Sequence, residues 1–359
     1  MLDTADTADT AHSAVTRSAG APRPRRSAAR RTALLMVGSA TLLAVTAVIG
    51  IGLGSNPIHP ATVVEAVFAY DPMNNAHLVV VLSRVPRILL GVVVGAALGL
   101  AGTLMQSVTR NPLADPGILG VNAGASLAVV IAIAFLGVQS VSGYIWFAFV
   151  GAGAAAALVY LLGSARGNAG TPVRIALAGT AVSIVIGALT QMVLLSNEPA
   201  FNAFRFWAIG SLQGRDFDVI LTVLPFIAVG ILASLALVAP LNAITLGDDV
   251  ATGLGTNTTA ARIGVAFAVV LLAGAATAAA GPIGFIGLGA AHIARFFTGN
   301  EHRRLIPASV LLGATLLVVA DTLGRIAVAP AELQTGVAAA LFGGPLFVAL
   351  VRSRKVAAL

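Results

Sequence analysis

SRVPRILLGVVVGAALGLAGTLMQSVTRNPLADPGILGVNAGAS, running from Ser83 to Ser126, is the stretch whose reading decides the fold. Arg84 and Arg87 stand around Pro86 at its start, and an apolar run rich in Gly and Ala follows. A polar turn with two prolines, Arg110-Asn111-Pro112-Leu113-Ala114-Asp115-Pro116, then interrupts the chain before a second apolar run. As a helix, about 20 apolar residues cross the ~30 Å hydrocarbon core of a bilayer. The arginines and the turn therefore face opposite sides of a membrane, and the other segments are threaded relative to that one crossing.

Composition points the same way. Hydrophobic residues make up 58% of the 359 and charged residues only 10%, with a mean hydropathy of +0.95. Soluble domains carry about 25% charge, so the chain is a polytopic membrane protein. The absence of cysteine excludes disulfides, thiolate metal sites and thiol chemistry. A net charge of +7 suits cytoplasmic loops rather than a nucleic-acid partner.

Residues 1–32 are rich in Ala, Thr, Pro and Arg without apolar periodicity and read as a basic, disordered cytoplasmic tail. A signal peptide is the competing reading, against which the run over 33–54 is long enough to span. Ten spans follow, at about 33–54, 85–107, 117–137, 143–164, 173–195, 219–240, 263–280, 283–297, 307–328 and 333–351. The polar stretch 196–218 places Phe206 and Trp207 at interface depth. With both termini inside, only Arg84, Arg87, Arg205, Arg215 and Arg325 fall outside, and the other 16 of the 21 Lys and Arg are internal.

Gly95–Gly102 (GAALGLAG) and Gly274–Gly281 (GAATAAAG) resemble each other. They lie five crossings apart, so a true repeat would be inverted, a common transporter architecture. In the turn, Pro112 and Pro116 stop helices, while Arg110, Asn111 and Asp115 can satisfy the broken backbone; an ordinary inter-helix turn is the alternative. Gly281, Pro282 and Gly284 interrupt the chain in the same way before His292 and Arg295, which share a helix face. No second ligand stands at metal spacing from His292. Asp321 precedes Arg325 by four residues, suiting an ion pair on one face or, less simply, a proton relay. Leu241–Arg262 is too polar to span. Asp248-Asp249 open a short helix ended by Gly255, and Thr256-Asn257-Thr258 can cap a second one after it. The stretch reads as a docking surface or as a solvated linker. No phosphate-binding Gly-x-x-x-x-Gly-Lys motif is present, and Lys355 is the sole lysine.

Several motifs in order now carry a resemblance: RVPR (84–87), QSVTRNPLADPGILG (106–120, opening on Gln106), LNAITLGDDVATGLG (241–255), GPIGFIGL (281–288), HIAR (292–295), HRRLIP (302–307) and ADTLGR (320–325). Over roughly 35–355 the chain resembles the FecCD-type permease subunits of iron–siderophore and cobalamin (type II) ABC importers. The resemblance implies an all-α, ten-helix permease domain over 33–355, with helices two to five and seven to ten as an inverted repeat. It implies a bacterial plasma-membrane protein paired with an identical or paralogous permease, two cytoplasmic ATPase subunits and an external substrate-binding protein. ATP and Mg²⁺ would sit on the ATPase, and this chain would bind no cofactor or metal. By the same resemblance Arg84, Arg87 and Arg325 receive glutamates of the binding protein. Leu246, Gly247, Asp248, Asp249, Leu254 and Gly255 belong to two short helices that couple to the ATPase. Thr171 and Pro172 form the cytoplasmic gate, and segments five and ten line the path. Gly289-Ala290-Ala291 and Gln334 depart from the family's usual residues. The cargo implied is ferric siderophore, with cobalamin or haem as alternatives. A secondary transporter using Asp321 or Asp115, or a non-transporting anchor, are the readings from other classes.

Overall fold

The computed structural model describes residues 25–54, 57–138, 140–164 and 172–352, in which every regular element is helical. The tail reading over 1–32 lies outside the described residues as far as position 24. It is corrected over 25–32, where α1 (Arg25–Gly52) has already begun. Among the described residues seven helices are long and apolar enough to cross a membrane, two shorter apolar helices accompany them, and α13 (Ile286–Thr298) brings the set to ten.

The external stretch before the second crossing is partly helical. Helix α2 (Pro60–Phe68) is capped by His59, and α3 (Asn75–Val79) by Asn74. From α3 the chain passes through a π-helical turn, Val80–Arg84, into α4 (Val85–Thr109). The wider turn lies where the ring of Pro86 would otherwise meet the carbonyl one turn back. Arg110 ends α4 in the left-handed conformation (φ 50°). Asn111 Oδ1 then accepts from Leu113 N–H at 2.9 Å, and Asp115 Oδ1 from Gly117 N–H at 2.8 Å, capping a 3₁₀ turn, Pro116–Leu119. Gly120 (φ 73°) opens α5 (Val121–Leu136).

Helices α6 (Val141–Ser164) and α7 (Pro172–Ser196) follow. Helix α8 (Glu198–Ala208) lies in the stretch read as polar loop. There Phe206 is exposed, while Trp207 is 3% exposed and packs edge-on to Tyr144 with ring centroids 6.5 Å apart. Helix α9 (Phe217–Ala236) leads to two short helices, α10 (Val238–Ile244) and α11 (Asp248–Gly253). The second short helix thus precedes the aspartates, and Asn257 caps the long α12 (Thr258–Ala280) directly. After α13 come α14 (His302–Ala327), capped by Glu301, and α15 (Thr335–Arg352).

Helices α4, α12 and α14 are mostly buried, whereas α1 and α7 are mostly exposed. Helix α4 packs most extensively on α14. A Cβ at Gly95 or Gly99 would strike the backbone of Ser309 or Gly313, so the two helices touch main chain to main chain. In lipid, where apolarity sorts nothing, such close van der Waals contact is the main adhesive. The repeat is visible in the order of parts. Helix α4, a break and α5 match α12, a break and α13, and each break ends in a left-handed residue, Gly120 (φ 73°) or Phe285 (φ 68°).

Candidate functional site

Helix α4 is the scaffold. At 1.5 Å per residue its 25 residues run roughly 37 Å, so Arg84 and Arg87 lie a membrane's thickness from Arg110. Each end carries a polar cluster.

At the outer end, Arg87 donates from Nε and Nη2 to Asp321 on α14, at 3.0 and 2.9 Å, and from Nη1 to Glu332 at 2.6 Å. Arg325 pairs with Asp321 at 3.3 Å, the i, i+4 pair expected from spacing. Thr335, at the start of α15, donates to Asp321 at 2.7 Å. Arg325 Nη1 donates to the Gly50 carbonyl at 2.9 Å, and Arg84 Nη1 to those of Ile51 and Gly52 at 2.8 and 2.7 Å. The two arginines thereby satisfy the carbonyls that α1 leaves unpaired at its C-terminus, where the helix dipole favours cations. Arg84, Arg87 and Arg325 are 6%, 6% and 1% exposed. The three guanidinium groups expected to receive a binding protein's glutamates are thus already engaged within this chain. They form a buried ion cluster joining α1, α4, α14 and α15, because a charge this deep needs a partner from its own chain.

At the inner end, Asp248 on α11 accepts from Arg110 Nη2 on one carboxylate oxygen and from Arg262 Nη2 at 2.7 Å on the other. The turn after α4 thus clamps α11. Leu246 just before α11, Val250 within it and Leu254 at its C-terminal cap are exposed at 63%, 48% and 66%, an apolar patch on the surface of this region. Gly247 (φ 115°) and Gly255 (φ 81°) hold backbone conformations that favour glycine at the two ends of α11. Asp249 is exposed.

Gln106 and Ser107, in the last turn of α4, both accept from Arg295 on α13, at 2.9 and 3.2 Å. His292 is partly buried one turn earlier. Gly281, Pro282 and Gly284 form the non-helical break, with Gly281 and Pro282 against the backbone of Trp207 and Gly210; Ser211 N–H donates to the Ala280 carbonyl at 2.7 Å. Thr171 lies outside the described residues, and Pro172 begins α7. Among the described residues no group of three or more His, Asp or Glu could hold a metal ion.

Two carboxylates outside the spans are shifted in opposite directions. Burial pushes Asp115 above the ordinary carboxylate range, partly offset by the Gly117 N–H. The Asn242 amide, then the Arg303 N–H, hold Glu301 below it. Glu332, Arg262, Asn242 and His302 were not singled out in the sequence. Arg262 reaches Asp248 across 14 residues, and the others reach much further, Arg87 and Glu332 being 245 residues apart; such separations carry no spacing signal.

The model of the FecCD transport family matches residues 42–353. The probable siderophore transport system permease protein YfiZ of Bacillus subtilis is 43% identical over 77% of this chain and 84% of its own length. The ferric enterobactin transport system permease protein FepD of Escherichia coli is 39% identical over 90% of this chain and 96% of its own. A solved inward-facing structure of a metal-chelate type ABC transporter superposes with a TM-score of 0.77 at 28% identity, covering 90% of this chain and 99% of that one. A match over nearly the whole membrane domain, with a shared fold, places this chain in the FecCD transport family.

Proposed function

We propose that the chain is the permease subunit of an ATP-driven importer that takes a ferric siderophore from an external binding protein and passes it to the cytoplasm. In this reading it sits in a bacterial plasma membrane with both termini inside. It pairs with an identical or paralogous permease through the exposed apolar faces of α7 and α15. Two ATPase subunits, holding ATP and Mg²⁺, dock on α10 and α11, and the gate forms at Thr171 and Pro172.

One observation carries the coupling role: α11 and its two flanks expose Leu246, Val250 and Leu254 while Asp248 is held by Arg110 and Arg262. A surface fastened to the pore helix and apolar toward solvent is suited to transmitting a partner's motion. The cargo rests on the siderophore permeases the chain resembles. The outer arginines enter in altered form. An incoming glutamate would replace Glu332 on Arg87, since Glu332 is the most exposed member of the cluster at 18%.

The test is the chain reconstituted with its ATPase and binding protein. Changing Leu246, Val250 and Leu254 together to Ser should release the ATPase during purification and leave thermal unfolding of the permease close to wild type. An ATPase retained as firmly as before would overturn the docking role. ATP-dependent uptake of ferric siderophore is expected; uptake of cobalamin or haem instead would reassign the cargo, and uptake by the chain alone under a proton gradient would overturn the importer.

A further inference from the structure

At the inner end of α4 a chain of hydrogen bonds crosses four structural elements, and its direction can be read from the chemistry of each link. Asn242 Oδ1 accepts from the backbone N–H of His302 at 3.0 Å. A backbone N–H can only donate, so the amide oxygen, not the amide nitrogen, faces His302. The His302 ring lies with Nδ1 2.7 Å from the same oxygen, so Nδ1 carries a proton and donates. In the neutral imidazole Nε2 is then an acceptor, and Ser107 Oγ, 2.8 Å away, donates to it. Ser107 in turn accepts from Arg295 Nη2 at 3.2 Å. At the other end Asn242 Nδ2 donates to Glu301 Oε1 at 3.0 Å. Every link runs one way, from the guanidinium on α13 through Ser107 of α4, His302 of α14 and Asn242 of α10 to a carboxylate. An imidazolium here would sit beside the Arg295 cation in a site where His302 is 0% exposed, which the local charge disfavours.

Asn242 is the only member of this chain on α10. That helix has 7 residues and no side-chain cap, too short to hold its own position. Its anchorage is Leu241 and Ile244, both buried, together with Asn242. After three connecting residues, 245–247, the chain enters α11, whose own tie to the pore is Asp248.

We propose that Asn242 and His302 are positioning residues for transport, fixing α10 to α4 and α14 so that displacement of the docking surface is passed to the membrane helices. The proposal rests on the docking role given to α10 and α11. It predicts a specific defect in the assembled importer: hydrolysis without transport.

The experiment compares Asn242→Leu, His302→Asn and His302→Gln in the reconstituted importer, reading ATPase co-purification, ATP hydrolysis and cargo moved per ATP. An Asn side chain at 302 places an amide N–H near the former Nδ1 and can keep the link to Asn242. Gln places its end group near the former Nε2, keeps Ser107 and loses Asn242. Asn242→Leu and His302→Gln should retain the ATPase and hydrolyse ATP but move about tenfold less cargo per ATP, the scale of a coupling energy between sites. His302→Asn should keep more than either. Unchanged cargo per ATP in Asn242→Leu and His302→Gln, or equal loss in His302→Asn and His302→Gln, overturns the transmission role. So does loss of the ATPase from Asn242→Leu, which would make Asn242 part of the docking surface itself. Failure of the wild-type chain to hold its ATPase would instead sink the docking reading on which this rests.

Discussion

Asp321 decides whether the outer cluster holds. It is 1% exposed and serves Arg87, Arg325 and Thr335 together. Glu332 pairs with Arg87 and is 18% exposed. Removing one partner from a buried pair leaves an uncompensated charge, at ~3–5 kcal/mol, whereas an exposed pair contributes ~0–1 kcal/mol. Asp321→Asn should therefore lower the thermal midpoint in detergent far more than Glu332→Gln; similar losses in the two variants would refute the ranking. Asp115 offers the opposite case. Its folded pKa is raised by burial, so the folded state holds the proton more tightly than the unfolded chain does. Stability then falls as pH rises from the ordinary carboxylate range through the raised value. Asp115→Asn keeps the acceptor for Gly117 and cannot ionise. Its thermal midpoint should exceed that of the wild type at neutral pH, with the advantage shrinking as pH falls through that interval. An advantage independent of pH would contradict burial as the cause.

Helices α4 and α14 show what a membrane helix demands of its sequence. Gly95, Gly99 and Gly313 meet backbone to backbone, so a methyl group at Gly99 must push the helices apart, at ~1–3 kcal/mol for overpacking. A methyl at Gly153 on α6 would find no atom nearer than 3.8 Å and should gain from the better helix propensity of Ala. Gly99→Ala is expected to lower both stability and transport, and Gly153→Ala neither; the two are compared by thermal unfolding and uptake. Both glycines sit in apolar runs and look alike in the sequence. The runs themselves were legible because lipid leaves the backbone no alternative to helix over that length, and the ten runs fall on ten described helices. Of the short elements, α11 was legible from Asp248-Asp249 and Gly255, but most of the others were not. Helices α2 and α3 lie in the stretch between the first two spans and α8 in a polar one, where caps at His59, Asn74 and Asn197 are visible only once a helix is known to follow. Asn257 was legible as a cap, but the helix it opens is α12 itself.

Across the whole molecule, α4 joins two polar ends that the sequence could place on opposite sides but could not connect. The positive-inside count marked Arg84, Arg87 and Arg325 as exceptions needing partners. It could not show that the partners are Asp321, Glu332 and the last carbonyls of α1, because a lone chain of letters reads as well as a surface awaiting another protein. This internal pairing sets the terms for any carrier. If a binding protein delivers a glutamate to Arg87, it competes with Glu332, whose displacement also loosens the chain entering α15 at Thr335. Relieving that competition should strengthen docking by about the worth of a partly exposed ion pair, ~1 kcal/mol or roughly fivefold in affinity. The measurement is the dissociation constant of the binding protein from the reconstituted permease, with wild type and Glu332→Gln compared at low and high salt. Tighter docking by Glu332→Gln, with both proteins weakening as salt screens the charges, fits an exchange of carboxylates on Arg87. Equal affinity of the two permeases would leave the outer arginines with the structural task already visible, capping α1 and binding α4 to α14, and would move the carrier's landing site to the exposed Arg205 on α8.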